Sequence, residues 1–251
     1  LLKRDIAKIK SILEAESLTL ICKRDVPVNK SILGSIALES LPNINQLFIA
    51  PTSKDFSRDR FESCLLQARK KIEDIHSNDE KLYVCSMSSQ TIVYKGLMLP
   101  NAISDFYKDI GKKSFRAKIC LFHQRFSTNT QPRWHLAQPF RLLAHNGEIN
   151  AIRGNRNWVK ARASKFSSPL IPDIDKFSSL VNETGSDSSA LDNMVELLVK
   201  GGINFLQVIC PCLLYQNTSF PRFLCFAIAF DFFFTTKKGT TPTFLRFNTG
   251  L

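Results

Sequence analysis

An α/β architecture, with helices layered on sheet, is the fold class this chain predicts, and three observations carry it. Apolar residues recur at helical spacing in residues 4–16, 56–75 and 189–200. Between them lie apolar runs too short for helices, at residues 18–22, 117–122 and 140–145. The words richest in polar chemistry then stand at the ends of two of those runs, where a sheet delivers side chains to a site.

The elements follow in order. Ile6, Ile9, Ile12 and Leu13 make one face of an amphipathic helix. Residues 18–22 read as a strand closed by Asp25-Val-Pro27. Phe61, Leu65, Ala68 and Ile72 form the stripe of a longer helix over residues 56–75. Residues 82–87 and 91–95 alternate as a hairpin joined through Ser88-Ser-Gln90. Pro100 opens a helix that Gly111 ends. Residues 117–122 and 140–145 are expected to be buried strands. Ser189 and Asp192 fit a capping box for a helix over 189–200, with Leu191, Met194, Val195 and Leu198 as its stripe and Gly201-Gly202 as its stop.

Composition bounds the function classes. At 251 residues the chain is long enough to bury a sizeable core as one or two domains. The net charge of +12 admits a nucleic-acid partner, but the basic residues alternate with acids, as in Arg58-Asp-Arg60, and interleave with aromatics in no nucleic-acid-binding pattern. We expect no nucleic acid. Residues 223–234 form the most apolar run, which is short of the roughly 18–20 residues that span a bilayer and contains Asp231. No secretory signal precedes it, so no membrane partner is expected. Seven cysteines without a CxxC pair argue for a reducing compartment, with the cytoplasm as the default. The chain opens at Leu1 without a Met, as a fragment edge would.

The chemistry concentrates in His123-Gln-Arg-Phe-Ser-Thr-Asn-Thr130 and Leu143-Ala-His-Asn-Gly-Glu-Ile-Asn150. An Arg fork gives a carboxylate two parallel charge-assisted hydrogen bonds. An Asn amide beside a Gly N–H makes an oxyanion cradle. A substrate with a carboxylate at one end and an attackable carbonyl at the other suits that pair, and glutamine is such a molecule. The bland alternatives are a surface ion pair for Arg125 and a hairpin turn for Asn146-Gly147. His123, His135 and His145 lack an accompanying Cys or acid at metal spacing, so they read as packing or hydrogen-bonding residues and no metal is expected. Gly154-Asn-Arg-Asn157 lacks the spacing of a phosphate loop.

These words resemble the glutaminase (class II glutamine amidotransferase) domain of the bacterial glutamate synthase large subunit. So do Ala137-Gln-Pro-Phe-Arg141, Gly154-Asn-Arg-Asn-Trp158 and Val181-Asn-Glu-Thr-Gly-Ser-Asp-Ser-Ser189. The likeness covers roughly residues 20–205 and leans toward the NADPH-linked bacterial enzymes. It implies the four-layer αββα sandwich of N-terminal nucleophile hydrolases, here incomplete. It also implies Arg125 as the clamp for the substrate carboxylate, with Thr128 adding a hydrogen bond. Asn146 and Gly147 become the oxyanion pair, and Asp187 the holder of the α-ammonium, a residue that otherwise reads as a helix-capping acid.

The family's nucleophile is the first residue of its mature chain, a Cys whose α-amino group is the base. None of the seven cysteines here is N-terminal, so the catalytic Cys is expected to be absent from this fragment. The resemblance implies glutamine hydrolysis supplying ammonia for glutamate synthesis. FMN, an iron–sulfur cluster and the small subunit belong to the full-length enzyme, with no cofactor in this fragment. The competing reading is a catalytically dead remnant or pseudogene product that keeps the fold.

Domain organisation is expected to divide at residue 207. Ten of the twenty Phe fall in residues 205–251, with Asp231 as the single acid. A divergent native segment, a frameshifted reading frame and a partner-binding tail all fit residues 208–251, and the frameshift fits best because Phe-rich text without periodicity seldom builds a clean surface.

Overall fold

A computed structural model describes residues 3–76, 82–126, 131–146, 149 and 151–214 of the chain. Helix α1 (Lys3–Ala15) buries Ile9 and Leu13, as its stripe requires. It turns through Ser17 at φ 58°, whose carbonyl is met by the Thr52 N–H at 3.0 Å and the Thr52 hydroxyl at 3.1 Å. Strand β1 (Leu18–Asp25) then pairs antiparallel with β2 (Asn45–Pro51), from Leu18 opposite Pro51 to Asp25 opposite Asn45. The register slips between Leu20 and Cys22, so Ile21 is an extra residue that stays exposed. A short α2 (Ser35–Glu39) lies between the two strands in sequence.

Helix α3 (Arg58–Ile75) starts where the Ser57 hydroxyl accepts the Arg60 N–H at 3.2 Å. Its Leu65, Ala68 and Ile72 close a core with α1, Leu20, Leu47 and Ile49. A second core gathers Ala37, Phe106, Tyr107 and Trp134. The third and largest surrounds α6 (Asp187–Lys200), joining its Ala190, Met194, Val195 and Leu197 to Leu66, Val159, Ile171 and Val208. Among the described residues one short element, α4 (Ile103–Phe106), and two longer helices, α5 (Ile152–Arg162) and α7 (Phe205–Leu214), complete the α-helices.

Several expectations are corrected by where the backbone donors go. Residues 82–95 form no hairpin ladder. The Ser89 N–H instead donates to the buried Glu62 carboxylate at 2.7 Å, joined by the Ser88 and Ser89 hydroxyls, and the Val93 N–H goes to the Ser86 hydroxyl at 3.2 Å. Residues 140–145 are irregular too. The Leu142 and Leu143 N–H groups donate to Asp192, the His145 N–H to Gln138 and the Phe140 N–H to the Leu143 carbonyl at 3.0 Å, so these donors are not available to a strand neighbour. Residues 117–122 have no ladder partner among the described residues and expose Ile119 (88%) and Phe122 (75%).

The helix from Pro100 stops at Phe106 rather than at Gly111, because Asn29 and Lys108 tie that turn to residues 27–29 through an isolated bridge of Val28 with Tyr107. The cap of α6 is Ser186, whose hydroxyl accepts the Ser189 N–H at 3.1 Å; Ser189 and Asp192 are not a capping box. Gly201 and Gly202, the latter at φ 98°, do end that helix.

Mixed helix and strand is therefore the observed class. Among the described residues the sheet has two strands, fewer than a layered sandwich displays. Helix α7 crosses the expected division at 207 and buries Val208 to 1%. Residues 215–251, most of the expected tail, lie outside the described residues. No helix among the described residues is long and apolar enough to cross a membrane.

Candidate active site

One helix moors the segment that carries the Asn-Gly pair. The Asp192 carboxylate, fully buried on α6, accepts the Leu142 N–H at 2.7 Å and the Leu143 N–H at 3.2 Å. Five residues earlier on the same helix, Asp187 Oδ2 accepts the Ile149 N–H at 2.7 Å and its Oδ1 accepts the Ser188 N–H at 2.6 Å. Between these anchors Gln138 reads both backbone groups of His145, donating to its carbonyl at 2.9 Å and accepting its N–H at 2.8 Å. Asn146 follows directly and is exposed. The described residues on either side of 147–148 are thus held by side chains fixed on buried structure.

Beneath this segment runs a buried ionic network. Arg141 donates to Glu73 at 2.9 Å and to the Val84 carbonyl at 2.6 Å, with Asp192 at 3.9 Å and Glu196 at 4.0 Å. Arg69, fully buried, pairs with Glu73 at 2.6 Å and with Glu196. Lys70 donates to the Ser179 and Leu180 carbonyls at 3.2 and 3.0 Å. Burial opposes the charge on Glu73, but Arg69, Arg141 and Lys70 outweigh it and hold the carboxyl down to about 2. On Arg141 the neighbouring acids likewise overcome burial and push its pKa up. Asp192 goes the other way, because burial outweighs Arg141 and its N–H donors. Lys70 and Lys95 both fall to about 8 through burial. Lys95 sits 5.1 and 4.9 Å from the Tyr83 and Phe140 ring centres, with the His135 carbonyl at 3.3 Å.

The expected site residues are only partly described. Thr128 and Gly147 lie outside the described residues. Asp187 and the Asn146 segment come together through Ile149. Arg125 is exposed, its N–H folded back 3.0 Å from His123 Nδ1, and no hydrogen bond or ion pair among the described residues links it to Asn146 or Asp187. Of the described cysteines, Cys22 and Cys120 are exposed, while burial pushes the thiols of Cys64 and Cys85 up. No group of three or more His, Cys, Asp or Glu that could hold a metal occurs among the described residues.

Sequence reasoning gave Gln138, Arg141, Glu73 and Glu196 no role and took Asp192 for a cap. The acids and bases spaced four apart inside apolar helix faces, Arg69 with Glu73 and Asp192 with Glu196, were the available signal, since a buried charge requires a partner.

Comparison with known proteins supplies the lineage. The family model of the class-II glutamine amidotransferases matches residues 2–216. The NADH glutamate synthase of Saccharomyces cerevisiae is 39% identical over 209 residues, 80% of this chain and 10% of its own length. Ferredoxin-dependent glutamate synthase 2 of Arabidopsis thaliana is 42% identical over 77% of this chain and 12% of its length. The NADPH glutamate synthase large chain of Bacillus subtilis is 42% identical over 78% of this chain and 13% of its length. The chain thus spans about an eighth or less of each of these relatives, and the identities do not separate bacterial from plant or fungal branches. With that match over most of its length, the chain belongs to the class-II glutamine amidotransferases and corresponds to the glutamine amidotransferase domain of glutamate synthase.

Proposed function

We propose that this chain carries the glutamine-recognition and oxyanion-stabilising part of a glutaminase that supplies ammonia for glutamate synthesis. The supporting observation is the mooring of residues 142–149 on α6, which sets Asp187 one hydrogen bond from Ile149, two residues beyond Gly147. In this reading Asp187 holds the α-ammonium of glutamine. A carboxylate has about four lone-pair directions, so the Ile149 and Ser188 N–H groups and the Ser188 hydroxyl leave capacity for a ligand. Arg125 clamps the α-carboxylate with help from Thr128. The Asn146 amide and the Gly147 N–H receive the oxyanion that forms when a thiolate attacks the side-chain carboxamide. Losing one such donor costs on the order of 3 kcal/mol of transition-state stabilisation.

The thiolate comes from none of the described cysteines in this proposal. A nucleophilic thiol needs a lowered pKa, and burial moves Cys64 and Cys85 upward. The same observation favours the second reading, a remnant that keeps the fold and binds without turning over. The 251 residues alone are therefore proposed to be inactive. The finer assignments belong with this reading: an incomplete αββα sandwich, a division near residue 207, cytoplasmic location, and an NADPH-linked parent enzyme with a small-subunit partner. In this reading the iron–sulfur cluster and FMN belong to other parts of such an enzyme.

Calorimetric titration of the purified chain with L-glutamine tests the assignment. Saturable binding that weakens at least about tenfold in both Arg125→Ala and Asp187→Asn is expected, about 1.4 kcal/mol each. Binding unchanged in both variants would remove the head-group assignment, and steady glutamate release would remove the inactivity.

A further inference from the structure

A cavity of about 330 Å³ lies against α5, lined by Arg153, Arg156, Asn157, Lys160 and Glu183. Residues 153, 156, 157 and 160 share one face of the helix by their spacing. Three cations meet one acid there, and that acid is already engaged, with Glu183 2.8 Å from Lys160.

A solvated helix face would explain Lys160, which sits in the last turn of α5 where the dipole favours a cation. It explains Arg153 poorly. That residue lies in the first turn, at the positive end of the dipole, where no acidic side chain and no side-chain cap offsets it. Arg156 is half-buried and reaches the Gly185 carbonyl at 2.5 Å and the Ser186 carbonyl at 3.4 Å, while its Nε is buried without a hydrogen-bond partner. Burial lowers its pKa despite Asp187 and Glu183 nearby, so the protein under-compensates this charge. A cavity at the small end of the ligand range, with surplus positive charge and an Arg fork, suits a compact dianion.

We propose that the cavity between α5 and residues 183–186 binds a small dianion, with Arg153, Arg156 and Lys160 supplying the charge and Asn157 an amide. A dicarboxylate and a phosphate share this chemistry. Arg156 also holds the carbonyl of Ser186, the cap of the helix that begins with Asp187, so the bound anion pulls on the same guanidinium that steadies that turn. Binding of the anion stands independently of the glutamine reading; its influence on Asp187 as a ligand group rests on it.

The test is titration of the full chain with inorganic phosphate, succinate and, as monoanion control, acetate, at about pH 7 and constant ionic strength. One dianion should bind saturably, one per chain, at least about tenfold tighter than acetate, and Arg153→Gln/Lys160→Gln should weaken it about tenfold or more. These two side chains are exposed, so the double variant keeps the fold, and an unchanged thermal unfolding midpoint verifies that. Preference for phosphate identifies a phosphorylated ligand, and preference for succinate a dicarboxylate. Dianion binding no tighter than acetate, or equal in the double variant, overturns the proposal.

Discussion

The two halves of the candidate site are held in opposite ways. The segment leading to Asn146 rests on α6 and α3 through Asp192, Gln138 and Arg141, all buried, with the Leu142, Leu143 and His145 N–H groups each held by a side chain. The segment leading to Arg125 has no regular secondary structure, exposes Ile119, Leu121 and Phe122, and shows no ladder partner among the described residues. An oxyanion cradle must be preorganised, because its value lies in not reorganising during reaction. A carboxylate clamp on a long, flexible Arg tolerates a looser base. The contrast teaches that position is stored in the buried ionic network; on the proposed assignment, ligand reach would lie in the exposed arm.

Breaking the moored half should produce the largest effect. Asp192→Ala leaves the Leu142 and Leu143 N–H groups without their acceptor in a buried setting and removes an acid 3.9 Å from Arg141, which keeps Glu73 and the Val84 carbonyl. Each stranded buried donor costs about 1–3 kcal/mol. Urea unfolding should show that loss with little change in slope. Amide exchange at Leu142 and Leu143 should accelerate more than at residues 9–13 in the separate α1 core. A cost under about 1 kcal/mol would mean that α6 does not fix the segment.

The network also sets a pH profile with two signs. Glu73 is held near 2, below its ordinary range, so its contribution is present above about pH 4.5 and is lost as pH falls through 2. Lys70 and Lys95 run the other way. Below about pH 8 they are charged in both states and their burial is a cost. Between about 8 and 10.5 these two lysines hold more protons in the unfolded chain, and they raise stability with pH by up to about 3 kcal/mol each, opposed in part above about pH 8.5 by the Cys64 and Cys85 thiols that burial keeps protonated. Above about pH 10 the buried Tyr83 and Tyr107, whose phenols burial keeps protonated, reverse the slope. Unfolding free energies at about pH 7 and 9.5 should differ in favour of the higher value, and Lys70→Met/Lys95→Met should flatten the difference. A steady decline from 7 to 9.5 would overturn this account of the two lysines.

Legibility in the sequence followed the same division. Helices α1, α3 and α6 were readable because apolar stripes and glycine stops are local signals, within a residue or two at most ends. The strand readings at 82–95 and 140–145 failed because their donors are taken by Glu62, Asp192 and Gln138, which are distant in sequence or lie outside the repeating pattern. Helix α5 was missed because its face is polar, with Asn155 and Val159 as its buried residues. At the site, the residue types of Arg125, Asn146 and Asp187 could be read from their words, whereas their relative placement depends on the buried network, which no short word encodes.

The smallest effect should come from the exposed arm, and its size sharpens the comparison. Ile119 and Phe122 are 88% and 75% exposed, so removing their apolar surface forfeits little burial. Ile119→Ser/Phe122→Ser should change unfolding free energy by no more than about 0.5 kcal/mol, the usual range for surface positions. The same variant should be more soluble, since exposed apolar residues close together on an irregular segment promote association. It should leave amide protection at Leu142 and Leu143 unchanged, because nothing among the described contacts couples residues 117–122 to Asp192. A loss of about 2 kcal/mol or more would show instead that this arm is packed in solution, and the two halves of the site would then be held alike.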